Sequence, residues 1–245
     1  MKLHRFIGKF NVRSGLIKIS DSELVNQIRN VLKLKVGERV ILCDGNNNDG
    51  FVEIKSYGKN SVELDLQEVK RNQNEPENKV VLYCSILKKE NFEWVVQKAT
   101  EVGVEEITPL ITARTVKLDI RKDRLEKIIK EAAEQSGRGI VPVLHEPIDF
   151  KKAINDVGKN ELNIFLDSSG QKVENLKSAR PVGGLKSKNY SIGVWVGPEG
   201  GWRPDEIKDV LDLPKKHKFQ NISLGKTTLR AETAAVIGTY LAVYK

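Results

Sequence analysis

Hydrophobic and polar residues follow two different patterns along this chain. Over about the first 70 residues, short apolar runs such as 38–43 and 50–57 lie between turn-forming residues, which is typical of β-strands. One helix interrupts them, because Ser20 and Asp21 can cap a segment with apolar residues at helical intervals from Leu24 to Leu32. The first part of the chain therefore predicts a small barrel.

The pattern changes after a polar connection. Residues 71–79 contain no apolar residue besides one proline, which indicates a solvated link between separately packed units. Beyond it, continuous apolar strands alternate with amphipathic helices, and this alternation predicts a mostly parallel sheet covered on both faces. A polar stretch at 168–190 predicts a long, mobile loop. We predict two domains, residues 1–72 and 73–245.

Two loops at strand ends carry the most informative residues. GPEGG at 197–201 has glycines where backbone could approach a ligand, and a proline that stiffens the turn. LGKTTLR at 224–230 leads from another strand into the final helix. Ligands of parallel sheets sit beyond the carboxyl ends of the strands, so the pair predicts one ligand pocket. A tight turn without a ligand remains the alternative for GPEGG taken alone.

Common nucleotide-binding loops are excluded. A phosphate loop ending at Gly225-Lys226-Thr227 would need glycine at position 220, where the chain has Gln220, and no GxGxxG follows a strand. Arg230 and Glu232 open a helix that is otherwise apolar, so their charges must be compensated or used. Both a structural and a functional role for this pair stay open.

Composition narrows the classes of protein to which this chain can belong. With 245 residues, 39% hydrophobic and 30% charged, the chain can form a soluble globular core. Its formal charge of +8 suits a polyanionic partner without requiring one. Cys43, Cys84 and the three histidines lack the spacing of a disulfide scaffold or zinc site, and no segment predicts a membrane span or a secretion signal. We expect a cytoplasmic protein with no metal.

Several other charged or aromatic residues have two interpretations. The glycines around Arg138 are explained by helix capping, whereas we interpret Arg138 itself as a phosphate or base contact. Arg5 beside Phe6 could stack on a base or border the core. Of the three tryptophans, only Trp202 is expected near a ligand.

The whole pattern resembles the bacterial RsmE-type 16S ribosomal RNA uracil-N3 methyltransferases, a family of the knotted SPOUT superfamily. The segments that carry the resemblance are RFIGKF, VLKLKVGERV, residues 88–115, EQSGR, VGPEGGW and LGKTTLRAETAA. The resemblance implies an α/β fold class, with a C-terminal trefoil-knot domain and a small N-terminal PUA-like β-barrel that binds RNA. It also implies S-adenosylmethionine as cofactor and a homodimer with cofactor pockets near the subunit interface.

The matching motifs imply specific roles. The residues implied to bind the cofactor are Leu166, Gly197, Pro198, Glu199, Gly200, Gly201, Leu224, Gly225, Leu229 and Arg230. Those expected to contact ribosomal RNA, within the small subunit, are Arg5, Arg29, Lys33, Arg114 and Arg138. The chain departs from the family in two places, since LGKTTLR replaces an LGPRVLR-like stretch and Ala231 stands where threonine is usual.

The resemblance also implies a reaction, methylation of N3 in the uridine conventionally numbered 1498. Our hypothesis is that Arg230 steadies the developing anionic uracil oxygen, while Glu232 orients that arginine or relays a proton. Arg138 would help to hold the flipped base. Two alternatives remain: a knotted methyltransferase that acts on another RNA position, and a non-catalytic RNA-binding protein of the same fold.

Overall fold

The chain divides into two compact units. The computed structural model describes residues 3–13, 15–116, 120–157, 160–179 and 190–244. Unit 1 comprises Met1–Glu75 and Ala133–Val141, and unit 2 comprises Pro76–Ala132 and Pro142–Lys245. The segment 133–141 thus belongs to unit 1, although a single cut after residue 72 would assign it to the second domain.

Unit 1 is built on a five-stranded sheet in the order β1-β3-β4-β5-β2. Its strands are β1 (His4–Ile7), β2 (Leu16–Ile19), β3 (Arg39–Cys43), β4 (Asn48–Tyr57) and β5 (Val62–Arg71). The helix α1 (Ser22–Asn26) begins as the sequence predicts, because the Asp21 carboxylate accepts a hydrogen bond from the Leu24 amide at 2.8 Å. A π-helical turn, Gln27–Val31, continues it.

The core of unit 1 follows from alternation along its strands. Val40 and Leu42 in β3, and Val52 and Ile54 in β4, are fully buried, with less buried residues between them. Because neighbouring side chains of a strand point to opposite faces, these residues form one apolar face. Ile28 from the π-helical turn joins the same cluster.

Unit 2 contains a parallel sheet in the order β12-β10-β11-β6-β7-β8, with β9 paired to β7. Its strands are β6 (Lys79–Ser85), β7 (Glu106–Ile111), β8 (Val143–Leu144), β9 (Ile148–Asp149), β10 (Leu162–Lys172), β11 (Ser191–Val196) and β12 (Phe219–Ser223). Its helices are α2 (Lys89–Val102), α3 (Lys122–Ser136), α4 (Phe150–Asn155), α5 (Pro204–Leu211) and α6 (Ala231–Tyr244), and the last turn of α3 belongs to unit 1.

Aromatic side chains fill one part of the core of unit 2. Trp195 of β11 stacks on Tyr83 of β6, with ring centroids 4.0 Å apart. Phe165 of β10 stacks on Trp202, with centroids 4.5 Å apart, and Phe150 of α4 contacts both tryptophan rings. The central strands are therefore buried, as their continuous apolar sequences predict.

One predicted loop is partly a strand. β10 runs on to Lys172, and its end pairs with β12 through Gln171 opposite Ile222. A short 3-10 helix, Val173–Ala179, follows, and residues 180–189 of the predicted loop lie outside the described residues. The extension lacks an apolar pattern because its side chains, unlike those of the first half of β10, are exposed or half-buried. Gly170 permits it, since a Cβ there would lie 2.6 Å from the Ile222 nitrogen.

Among the described residues, no helix combines the length and the apolar character needed to cross a bilayer.

Candidate functional site

Two parallel strands of unit 2, β11 and β12, end at one edge of its sheet on either side of β10, which continues past this edge. Leu166 in β10 lies opposite Val196 of β11 on one side and Ile222 of β12 on the other. Gly197 follows β11 directly, and Leu224 follows β12 directly. Adjacent strands are separated by roughly 5 Å, so the GPEGG and LGKTTLR loops start about 10 Å apart with Leu166 between them. The two loops singled out in the sequence therefore lie side by side.

Trp202 anchors the first loop to β10. Its ring is 5% exposed and its indole N–H donates to the Leu166 carbonyl at 3.0 Å. A Cβ at Gly197 would lie 3.0 Å from that ring, so this glycine is needed for packing. Gly201 has φ +70°, a conformation that favours glycine. Trp202 is thus a buried residue that positions the loop, and its expected place near a ligand stays a prediction.

Residues of neighbouring loops also form hydrogen bonds with GPEGG and with the start of α5, which follows it. The Glu199 carboxylate accepts a hydrogen bond from the Lys88 amide at 3.0 Å. Arg114 donates from its guanidinium to the Gly200 carbonyl. Glu206, 3% exposed, accepts from the Ala113 amide at 2.9 Å and the Arg203 amide at 2.8 Å. Sequence reasoning missed Glu206, although a glutamate two residues after Pro204 is a recognisable helix-start signal.

The second loop leads to a charged pair of unequal exposure. The Arg230 side chain is 86% exposed and the Glu232 side chain 14%, with Nη1 and Oε1 3.8 Å apart. The other oxygen of Glu232 is buried and has no hydrogen-bond partner among the described residues. A Cβ at Gly225 would meet no atom within 4 Å. The pair thus presents one accessible cation and one largely buried carboxylate.

Cys84 lies beneath this edge of the sheet. Cys84 lies in β6, opposite Val196 of β11, and is fully buried. This burial raises the pKa of its thiol. The negative charges of Glu199 and Glu232 raise that pKa further.

Three of the arginines predicted to contact RNA interact with other residues of unit 1. Arg138 is 4% exposed and donates to the Glu75 carboxylate at 2.8 Å. Arg5 forms a two-pronged ion pair with Asp49, both distances being 2.6 Å.

Arg29 donates to the Gly58 carbonyl at 2.6 Å and lies over the Tyr57 ring. These geometries give the guanidinium groups structural partners, and the buried position of Arg138 argues against its interpretation as a base contact. Lys33, in contrast, is exposed.

Family models and curated relatives agree on the type of protein. Residues 73–242 match the RNA methyltransferase domain, and residues 21–67 match the RNA methyltransferase PUA domain. Ribosomal RNA small subunit methyltransferase E of Rickettsia conorii is 31% identical over 96% of this chain and 93% of its own length. The protein of the same name from Mesomycoplasma hyopneumoniae is 34% identical over 72% of this chain and 74% of its own length.

Solved structures share the fold over almost the whole chain. A methyltransferase structure from Legionella pneumophila, with bound cofactor SAM, has a TM-score of 0.84 and 27% identity and covers 99% of this chain and 97% of its own. Ribosomal RNA small subunit methyltransferase E of Neisseria gonorrhoeae, bound to S-adenosyl methionine, has a TM-score of 0.82 and 26% identity, with coverages of 98% and 96%.

These matches confirm the fold class predicted from the sequence, a SPOUT-type α/β domain with a PUA-like N-terminal sheet. The residue-level roles stay predictions. By its domain matches and its relatives, the chain belongs to the RNA methyltransferase family that includes ribosomal RNA small subunit methyltransferase E.

Proposed function

We propose that this protein transfers a methyl group from S-adenosylmethionine to N3 of a uracil in 16S ribosomal RNA. The observation that carries the proposal is that the GPEGG and LGKTTLR loops leave the carboxyl ends of β11 and β12 on either side of β10, beside Leu166. Such an edge is where α/β sheets bind ligands. The presence of S-adenosylmethionine in two solved structures of the same fold supports this choice of cofactor.

The residues at this edge fit the cofactor. A Cβ at Gly201 or Gly225 would meet open space, and Glu232 has a buried oxygen without a partner among the described residues. When bound, S-adenosylmethionine supplies an electrophilic methyl group on a sulfonium centre. We assign its binding to Leu166, Gly197, Pro198, Glu199, Gly200, Gly201, Leu224, Gly225, Leu229 and Arg230.

Arg230 and Glu232 have complementary tasks in this proposal. Uracil N3 is a poor nucleophile while it carries its proton, so the site must stabilise the anion that forms on losing it. The exposed Arg230 guanidinium can reach a uracil oxygen and stabilise its developing negative charge. Glu232, whose Oε1 lies 3.8 Å from Arg230 Nη1, orients that guanidinium or relays the N3 proton.

RNA binding in this proposal relies on exposed cations. The chain carries a formal charge of +8, which favours a polyanion. Lys33 is exposed, and we retain it as a phosphate contact. We do not retain Arg5, Arg29 and Arg138, because each guanidinium is engaged within unit 1.

We further propose that the protein is a homodimer. The helix α6 exposes three large apolar residues: Ile237 is 38% exposed, Tyr240 51% and Tyr244 60%. Spacings of three, four and seven residues place them on one helical face. A second copy of the chain would remove this face from water.

The test is methyl transfer by the purified protein from labelled S-adenosylmethionine to 16S ribosomal RNA, free and within small subunits, followed by mapping of the labelled nucleotide. We expect the label on a uracil N3, at the uridine conventionally numbered 1498. In Arg230→Ala, loss of charge stabilisation should lower kcat, measured at saturating S-adenosylmethionine, by roughly a hundred-fold or more, whatever the change in the Kd of the cofactor.

Lys226→Ala is the matched control, because Lys226 is an exposed cation of the same loop that the proposal does not use. Near-normal transfer by Arg230→Ala would remove the proposed role of Arg230. Label on a different nucleotide would favour the alternative RNA position. Absence of both binding heat and transfer would favour a non-catalytic RNA-binding protein.

A further inference from the structure

The loop at Gly197–Gly201 is held by a residue that the proposed chemistry does not use. Arg114 lies just after β7 and donates from Nη1 to the Gly200 carbonyl, and more weakly to the Trp202 carbonyl at 3.4 Å. Its aliphatic stem covers Gly200, since a Cβ there would lie 3.4 Å from the Arg114 Cδ. One side chain therefore holds both ends of the tight bend around Gly201.

The backbone next to Arg114 is itself fixed to the far side of the same loop. The Ala113 amide donates to the buried Glu206 carboxylate, whose other oxygen accepts from the Arg203 amide. Thr112 and Thr115, on either side, bond to each other through their hydroxyl groups at 2.9 Å. Arg114 thus extends from a rigid turn, which suits a group that must hold another loop in place.

The sequence predicted an RNA contact for Arg114, but its geometry favours a different role. A cation that only meets phosphates has no need to bind backbone carbonyls of a neighbouring loop. Arg121, which directly precedes α3, shows the contrast: its side chain is 66% exposed and forms a salt bridge with the exposed Asp123 at 2.9 Å.

We propose that Arg114 is a positioning residue for cofactor binding, an inference that rests on the proposed function. It does not need to touch the cofactor. By holding the carbonyls of Gly200 and Trp202, it keeps the loop in its binding conformation before the cofactor arrives. Ordering a loop during binding lowers affinity, so loss of this support should weaken cofactor binding specifically.

The test measures the Kd of S-adenosylmethionine by calorimetry for the full chain and three variants. In Arg114→Ala we expect the Kd to rise roughly ten-fold, as removal of a charged hydrogen-bond donor would produce. Arg114→Lys keeps the charge but loses the planar guanidinium, so its Kd should lie between those of the wild type and Arg114→Ala. Arg121→Ala removes an equal charge nearby and should stay within about two-fold of the wild type.

Melting temperatures without cofactor serve as the second readout. Because Arg114 is exposed, Arg114→Ala should melt within about two degrees of Arg121→Ala. If Arg114→Ala melts much lower than Arg121→Ala, the Arg114→Lys variant decides between the two explanations. Weakened cofactor binding by Arg114→Lys at a wild-type melting temperature supports the positioning role. Wild-type cofactor affinity in Arg114→Lys overturns that role.

Unchanged cofactor affinity in Arg114→Ala overturns the inference, and loss of RNA affinity alone would restore the RNA role. An equal loss of cofactor affinity in Arg121→Ala would also overturn it, because the cause would then be net charge. If the wild type itself binds no S-adenosylmethionine, the proposed function fails and this inference fails with it. If the wild type binds and Arg114→Ala binds equally, only the inference fails.

Discussion

Arg138 and Glu75 form a largely buried ion pair, with side-chain exposures of 4% and 15%. Glu75 also accepts hydrogen bonds from the backbone amides of Gly139 and Ile140. One carboxylate therefore holds the arginine and the chain that follows it. Because an unpaired buried charge is costly, this pair contributes to the stability of unit 1 only while both partners are present.

We expect Glu75→Gln to destabilise the protein by about 3 kcal/mol, because it removes the negative charge to which the buried Arg138 guanidinium donates. Urea denaturation followed by circular dichroism measures the change. Glu77→Gln is the control, since Glu77 is exposed and lies two residues away. If the two variants unfold at the same urea concentration, the ion pair has no structural importance and Arg138 becomes available again as an RNA contact.

At the scale of elements, the two glycine-containing loops differ in what their glycines do. A Cβ at Gly197 would lie 3.0 Å from the Trp202 ring, whereas a Cβ at Gly225 would meet open space. Gly197 therefore serves packing between the loop and the core. Gly225 has no packing reason to be glycine among the described residues, which is expected of a position that a ligand approaches.

This difference predicts that substitution by alanine affects stability at Gly197 and cofactor affinity at Gly225. Gly197→Ala should lower the free energy of unfolding without cofactor by about 2 kcal/mol, because the methyl group crowds the Trp202 ring. Gly225→Ala should leave that free energy nearly unchanged but raise the Kd of S-adenosylmethionine. Chemical denaturation and calorimetry measure the two quantities, and each variant is the control for the other. A Gly197→Ala variant as stable as the wild type would remove the packing role of Gly197, and an unchanged Kd in Gly225→Ala would place the cofactor away from Gly225.

Local signals allowed both loops and most elements to be predicted. Glycine, proline and charged residues at strand ends identified 197–201 and 224–230, and helical spacing identified α1. Interactions between distant residues escaped prediction. Arg138 pairs with a carboxylate 63 positions away, and the end of β10 pairs with β12 through its backbone. Neither depends on an apolar pattern in the sequence.

At the scale of the whole molecule, self-association is the property that surface composition addresses most directly. The exposed face of α6 carries Tyr240 and Tyr244, whose ring centroids are 5.0 Å apart, together with Ile237. Large apolar side chains that share one helical face are a common feature of interfaces between identical subunits. Single exposed apolar residues elsewhere, such as Leu211 on α5, carry no such implication.

We expect the wild type, a chain of 27.5 kDa, to sediment as a dimer and Tyr240→Glu to sediment as a monomer. A carboxylate at the centre of the face would lose its hydration on association, which should weaken the dimer by roughly a hundred-fold. Leu211→Glu is the matched control, because it introduces the same charge at a site that is 62% exposed on another helix. Sedimentation equilibrium distinguishes these outcomes. A monomeric wild type would contradict the homodimer, and a Tyr240→Glu variant that remains dimeric would move the interface away from α6.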